Sequence, residues 1–344
     1  MRRFWFSFIV LSIVLVPMHV TAQTSGQAVY FPQTGHHLDD QHGFLRFWRA
    51  NSQTLRFGYP ISEPFVRDDI VMQYFERARF EYHPASDQLL LGLLGTESHG
   101  IDAAVQALPN SRFFVETGHN LQGEFRQYWE QSAGLALLGY PISEQLNDNG
   151  LLVQWFERGR LEYHPEAMRP LWREYERARN LNLDPLYEMQ TTLVGVQQAN
   201  ATGIDLKPMQ RRSGVADWSP SLWRQSIRVS LSSYTLTAYE DDLPVLTSTI
   251  AIGKPGFETV VGDFNIGSKW LQKDMKSSEN GESWDTKAVP FTQFFYRDWA
   301  IHGTYWHTSF GTQRSHGCIN LPLAPAEWLY AWTGDGSVTV IVVP

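Results

Sequence analysis

From Ile227 onward the chain alternates. Ile227, Val229 and Leu231 fall on one face of an extended segment and Arg228 and Ser230 on the other, the period of two expected of a half-buried strand. Similar runs follow over residues 234–239, 244–252 and 262–266, with Glu240-Asp241-Asp242 and Gly253-Lys254-Pro255-Gly256 as turns between them. Residues 267–289 are mostly polar and read as a long loop carrying Trp270 and Trp284, of the kind that borders a binding site. Strands over 291–296 and 299–302, a helix begun by Pro325 and ended at Gly334, and a last strand over 337–343 complete a β-rich domain assigned to residues 225–344.

The first half has another rhythm and repeats itself. Gly58-Tyr59-Pro60-Ile61-Ser62-Glu63 returns 81 positions later as Gly139-Tyr140-Pro141-Ile142-Ser143-Glu144, and Glu81-Tyr82-His83-Pro84 returns as Glu162-Tyr163-His164-Pro165. Each copy predicts a short helix (44–50, 125–131), a turn at Gly-Tyr-Pro, and a hairpin whose second strand covers 79–82 or 160–163. Residues 89–95 after the first copy are echoed by 191–195 after the second, with an Arg-rich helix expected over 171–180 between. We therefore assign unit 1 with its connecting segment to 30–116 and unit 2 with its helical insertion to 117–196. Residues 197–224, with Gly203, Pro208, Gly214 and Pro220 among polar positions, read as a linker. The units resemble the short Leu-Gly-Phe-Pro type repeats of exported bacterial wall-associated proteins. Trp48, Tyr59, Trp129 and Tyr140 either stack on sugars or pack the units' own cores.

Composition narrows the function. The 344 residues are 43% hydrophobic, enough for more than one core, and a net charge of −8 without runs of Lys or Arg argues against a nucleic-acid partner. Met1-Arg2-Arg3, an apolar run over 4–16, and Val20-Thr21-Ala22 read as an export signal over residues 1–22. If uncleaved it would act as an anchor, although the run is short for a full span. Either outcome places the chain outside the cytoplasmic membrane, periplasmic or wall-associated.

There is one cysteine, Cys318. Exported cysteines usually pair, and a single one cannot close an intrachain bridge, so either it is a buried structural residue or its thiol has a use. A thiol attacks as thiolate and needs a base or a positive neighbour. His302, at the end of an expected strand, can be brought beside it when Ser315–Leu321 returns along that strand. Gly317, directly before Cys318, lets the backbone bend so that amides point at one oxyanion. His316 takes a supporting or substrate-orienting part, and His307 reads as a loop residue. A zinc site of His302, His307, His316 and Cys318 competes but lacks the paired ligand spacing of such sites.

His302-Gly303-Thr304 followed by Ser315-His316-Gly317-Cys318-Ile319-Asn320-Leu321 resembles the signature of the L,D-transpeptidase catalytic domain, the YkuD family, and Thr259-Val260-Val261-Gly262-Asp263-Phe264 is similar to its Thr-Pro-x-Gly-x-Phe segment. Asn320 stands where the family often has Arg, and Val260 where it has Pro. The resemblance implies a mainly β chain: a C-terminal β-sandwich with a short helix, preceded by a duplicated small α+β repeat region. It further implies Cys318 as nucleophile, His302 as proton donor and acceptor, and the Gly303 carbonyl holding His302. Gly317 would supply an oxyanion amide, and Ser315, His316, Asn320 and Thr304 would face substrate. The implied substrate is the stem peptide of peptidoglycan, cross-linked through a thioester with loss of D-alanine and with no cofactor or metal. Hydrolysis by the same site (an L,D-carboxypeptidase), attachment of a protein amine, and a non-catalytic wall-binding protein that grips glycan through the repeats are the alternatives.

Overall fold

The computed structural model describes residues 27–132, 134–167 and 185–344. The export signal expected over 1–22 and the helix expected over 171–180 lie outside them.

The two repeat units share one plan. In unit 1 the hairpin Ala28–Phe31/His36–Asp39 leads to helices Phe44–Ala50 and Gln53–Arg56, then to an antiparallel meander of Phe65–Arg67, Ile70–Tyr74, Arg79–His83 and Gln88–Leu91. Unit 2 repeats it with Arg112–Phe114/His119–Leu121, helices Gly123–Gln131 and Gly134–Leu137, and strands Leu146–Asp148, Leu151–Phe156, Gly159–Tyr163 and Met189–Thr191. The repeated signature is what closes each unit. Trp48 and Trp129 are buried, and their indole N–H groups donate to the carbonyls of Gly58 and Gly139 at 2.8 and 2.9 Å. Ser62 and Ser143 hydroxyls accept the N–H of Tyr74 and Trp155 at 3.0 Å, while Glu63 and Glu144 accept from His37 and Asn120 N–H at 2.8 Å. Of the aromatics considered as sugar platforms, Trp48 and Trp129 are thus core residues.

The units exchange their closing helices. Helix Leu94–His99, which follows unit 1, packs on the hairpin turn of unit 2, where Thr96 N–H donates to Glu157 O at 3.0 Å. Helix Val194–Ala201, which follows unit 2, returns to the equivalent turn of unit 1, where Val196 N–H donates to Glu76 O at 3.2 Å. Glycine is required at both contacts: a Cβ on Gly95 would lie 1.8 Å from Phe156 O, and on Gly195 1.9 Å from Phe75 O. The assignment of 197–224 as a linker is corrected here. Ile204 and Leu206 pack beside Tyr74 and Leu94, Met209 N–H donates to Gly35 O at 2.8 Å, Ala216–Asp217 pairs with Ala28–Phe31, and Trp218 stacks on Phe31 with ring centroids 5.5 Å apart. Glycine and proline content suggested a linker because an extended segment packed along a groove uses the same residues.

The C-terminal domain is built on a five-stranded sheet and a four-stranded sheet sharing one core. The first runs Leu243–Thr249, Thr235–Glu240, Gln225–Ser230, Thr339–Val343, Gly262–Asn265 in spatial order; the second runs Ser268–Glu279, Glu282–Tyr296, Trp299–Gly303, Ile319–Leu321. Ile227, Val229, Leu236 and Val340 from one and Phe291, Ile301, Ile319 and Leu321 from the other are buried together with Leu323, Ala326 and Leu329 of helix Leu323–Trp332. Residues 267–289 are a second correction: they are not a loop but most of a long hairpin. Asn280 and Gly281, with φ 49° and 81°, form its turn. That dipeptide is the favoured two-residue hairpin turn, but the polar composition of both flanking strands hid the pattern.

Unit 1 is fastened to this domain through Glu240. Its carboxylate, 1% exposed, accepts from Arg49 Nε at 2.7 Å, Gln53 Nε2 at 2.6 Å and Trp332 Nε1 at 3.0 Å, and the Arg49 guanidinium lies 3.6 Å over the Trp223 ring.

Candidate active site

Strands Trp299–Gly303 and Ile319–Leu321 are parallel neighbours, with Ile301 opposite Ile319 and His302 opposite Asn320. Paired residues on adjacent strands project to the same face. Continuing the register by one residue pair places Cys318 beside Ala300, so Cys318 and His302 are diagonal neighbours on one face. The sulfur accepts the Ala300 N–H at 3.4 Å and lies 4.0 Å from the Asp298 carbonyl. It is not hydrogen-bonded to His302 in this conformation, contrary to the expected direct contact.

His302 is 3% exposed, and its Nδ1–H donates to the Gly303 carbonyl at 3.0 Å, which leaves Nε2 as the basic nitrogen. Burial outweighs the help of that carbonyl and lowers the imidazole to about 4. Burial of the sulfur likewise raises Cys318 to about 11, with the Ala300 N–H opposing and Asp298 adding to the rise. At neutral pH the resting pair is therefore thiol and neutral imidazole, not thiolate and imidazolium.

The turn before Cys318 is held from both sides. Gly317 has φ 107°, and a Cβ there would lie 2.4 Å from Trp299 Nε1. Its carbonyl accepts from Thr259 Oγ1 at 2.9 Å, and the same hydroxyl accepts the Gly253 N–H at 2.9 Å. Its N–H donates to Ser315 Oγ at 3.2 Å, and Ser315 Oγ donates to the Cys318 carbonyl at 2.5 Å. The Gly317 amide, expected to face an oxyanion, is thus already engaged by Ser315. The Cys318 N–H, by contrast, has no protein acceptor among the described residues.

Three of the four residues expected to face substrate are buried. Ser315, 7% exposed, shapes the turn. Thr304 is fully buried. Asn320, 3% exposed, pairs its backbone with Ala251 on one side and sets its amide 3.0 Å from His307 Nε2 on the other. His316 remains partly exposed, 3.1 Å from Glu282 Oε2 and stacked on Trp284 at 4.0 Å. Glu282 also pairs with Lys254, and Asn280 Nδ2 donates to Gly256 O at 2.8 Å, so the long hairpin's tip is tied down beside the cysteine.

His307, expected only as a loop residue, and Thr259, expected only as part of the family segment, both hold the site together. His307 is 6% exposed, accepts the Ser309 N–H on Nδ1 at 3.2 Å, and is lowered to about 3, first by burial and then by Arg314 and His302. Its proximity to His302 arises from loop geometry that spacing does not encode. The four zinc candidates have separate partners, and no three His, Cys, Asp or Glu side chains among the described residues are placed to share a metal ion.

A lone thiol, a tautomer-fixed imidazole on the same sheet face and a free amide at the thiol's own backbone define a site suited to cysteine-dependent acyl transfer. Residues 224–342 match the family YkuD, the L,D-transpeptidase catalytic domain. Among solved structures, the chain is similar to the catalytic domain of the E. faecium L,D-transpeptidase, with 25% identity over 36% of this chain and 98% of that one and a TM-score of 0.33. It is similar to the L,D-transpeptidase from Mycobacterium smegmatis, with 19% identity over 54% and 90% and a TM-score of 0.32. It is also similar to L,D-transpeptidase 1 of Mycobacterium tuberculosis, with 23% identity and a TM-score of 0.28, covering 35% of this chain and 61% of that chain's length. No curated protein matches the chain.

Proposed function

We propose that this chain is an exported peptidoglycan L,D-transpeptidase using Cys318 as nucleophile. The observation that carries the reading is the His302 tautomer: Nδ1–H is committed to Gly303 O, leaving Nε2 to take a proton on the face that carries Cys318. The family match over 224–342 supplies the substrate class.

Because thiol and imidazole both rest neutral, attack and proton transfer go together. As the sulfur leaves the Ala300 N–H and bonds to the carbonyl carbon at the L-centre of the donor's diamino acid, its proton passes to His302 Nε2. The carbonyl oxygen takes the negative charge and receives the Cys318 N–H. Collapse breaks the bond to D-alanine, whose amine takes the proton from His302, and a thioester remains. An acceptor amine loses a proton to Nε2 and attacks the thioester; the new amide forms and the proton returns to the sulfur. Transient imidazolium is stabilised by the Gly303 carbonyl. No step draws on a metal or cofactor.

Mass spectrometry of products from purified disaccharide tetrapeptide tests the proposal. Cross-linked dimer and free D-alanine are expected from the full chain and neither from Cys318→Ala. D-alanine without dimer would replace transfer by hydrolysis, and no turnover of any tetrapeptide donor would overturn the enzymatic reading in favour of a wall-binding protein.

A further inference from the structure

Where the two repeat units face one another lies a small, partly open cavity of about 40 Å³. Many of its walls come in quasi-equivalent pairs, as expected at the pseudo-twofold axis of a duplication with exchanged helices. Arg77 and Arg158 are equivalent, as are Phe57 and Leu138, and all four line it. Two other walls break the symmetry. Arg56 lines the cavity where unit 2 has Leu137, and Tyr128 lines it where unit 1 has Phe47. Each unit thus sets a hydrogen-bond donor along the shared space where its sister has an apolar residue.

The charge there is one-sided. Among the described residues four arginines line the cavity and no acidic side chain does. Arg160 is neutralised by Asp148 at 2.7 Å and by Glu162. Arg77 and Arg158 have carboxylates only at 3.7 and 3.9 Å, and those oxygens, on Glu76 and Glu157, already accept the N–H of Tyr59 and Tyr140 at 3.0 Å. Arg56 has no carboxylate in salt-bridge range among the described residues. Burial lowers it, and burial raises Tyr128 against the opposing pull of Arg56, Arg77 and a hydrogen bond with Ser132. A partly buried guanidinium without a counter-ion, next to a phenol and framed by Leu137, Leu138 and Phe57, suits a planar oxyanion attached to a small apolar group.

We propose that this junction binds a free carboxylate carried on a short peptide or a sugar acid, gripped by Arg56 with Tyr128 as second donor. The site is separate from Cys318 and does not depend on its chemistry.

Titration calorimetry on the full-length Cys318→Ala chain tests it with two probes, the free tetrapeptide stem and the muramic-acid disaccharide, each also with its carboxylates amidated. At least one free-acid probe is expected to bind, and which one does identifies the source of the carboxylate. Amidation abolishes binding. Arg56→Leu and Tyr128→Phe, each restoring the residue of the sister unit or its close isostere, weaken binding at least tenfold and severalfold respectively, with circular dichroism unchanged. Absence of binding by both probes, or equal affinity in Arg56→Leu, overturns the site. Turnover by the Cys318-containing chain is measured separately, so loss of the junction site and loss of the transpeptidase reading give different results.

Discussion

Burial sets the proton chemistry of His302, and this gives the protein a definite acid response. An unfolded histidine titrates near its ordinary value of 6.5, but folded His302 holds off its proton until about 4. Above 6.5 both states are neutral and stability is full. As pH falls below 6.5 the unfolded chain binds a proton that the folded chain refuses, so stability drops until about pH 4, by ~3 kcal/mol in all from this residue. His307, lowered to about 3, acts in the same direction. A urea midpoint clearly lower at pH 4.5 than at pH 7, with a smaller difference in His307→Gln, is the expected result; identical midpoints would contradict the buried neutral pair. That Cys318 and His302 come to neighbouring strands could be expected from the sequence, because the segment around the lone thiol was read as returning along the strand that ends at His302. The parts taken by Ser315, Asn320 and Thr304 could not. A signature gives residue types in order, and whether a hydroxyl or amide faces ligand or its own turn depends on partners such as Gly317 and His307 that only the folded backbone brings together.

Among elements, the exchanged helices rest on single glycines. At Gly195 a methyl group would meet backbone, not a side chain that could move aside. Gly195→Ala is expected to cost at least ~3 kcal/mol by forcing helix Val194–Ala201 off unit 1, seen in thermal melts, whereas alanine at Gly203, with nothing within 4 Å, meets no contact and bears only its φ of 67°. The hairpin 268–296 is the opposite case, an element held at its tip by polar contacts. Glu282→Ala removes the shared partner of Lys254 and His316, and hydrogen exchange over 272–289 is expected to quicken severalfold while the core strands keep their protection. Unchanged exchange would mean that Trp284 stacking and Asn280 suffice. Strands with regular alternation, such as Gln225–Ser230, and the repeat helices were readable from period alone. The long hairpin was not, since both its faces are polar beyond residue 272 and only Asn280-Gly281 announced it.

At the scale of the molecule, Glu240 decides whether repeats and catalytic domain move together. Glu240→Ala leaves Arg49, 7% exposed, buried without its counter-charge, a change worth ~3–5 kcal/mol. The expected readout is an earlier, separate unfolding transition for one part in calorimetry, with Glu240→Gln intermediate because it keeps two of the three hydrogen-bond acceptances. The two-part organisation was evident from the repeat and from the change in rhythm at residue 227, but the exchange between units was not: their sequences say that two similar bodies exist, not which helix completes which. That exchange also fixes an order of events at synthesis. Unit 1 leaves the ribosome first, yet the helix and strand that close it, Val194–Ala201 and Ala216–Asp217, are made only after all of unit 2. Unit 2 receives its closing helix, Leu94–His99, before its own strands are made. The earliest part of the chain is therefore the last repeat to be finished, and during synthesis it must wait with an open edge and an uncovered hairpin turn until more than a hundred further residues have followed it.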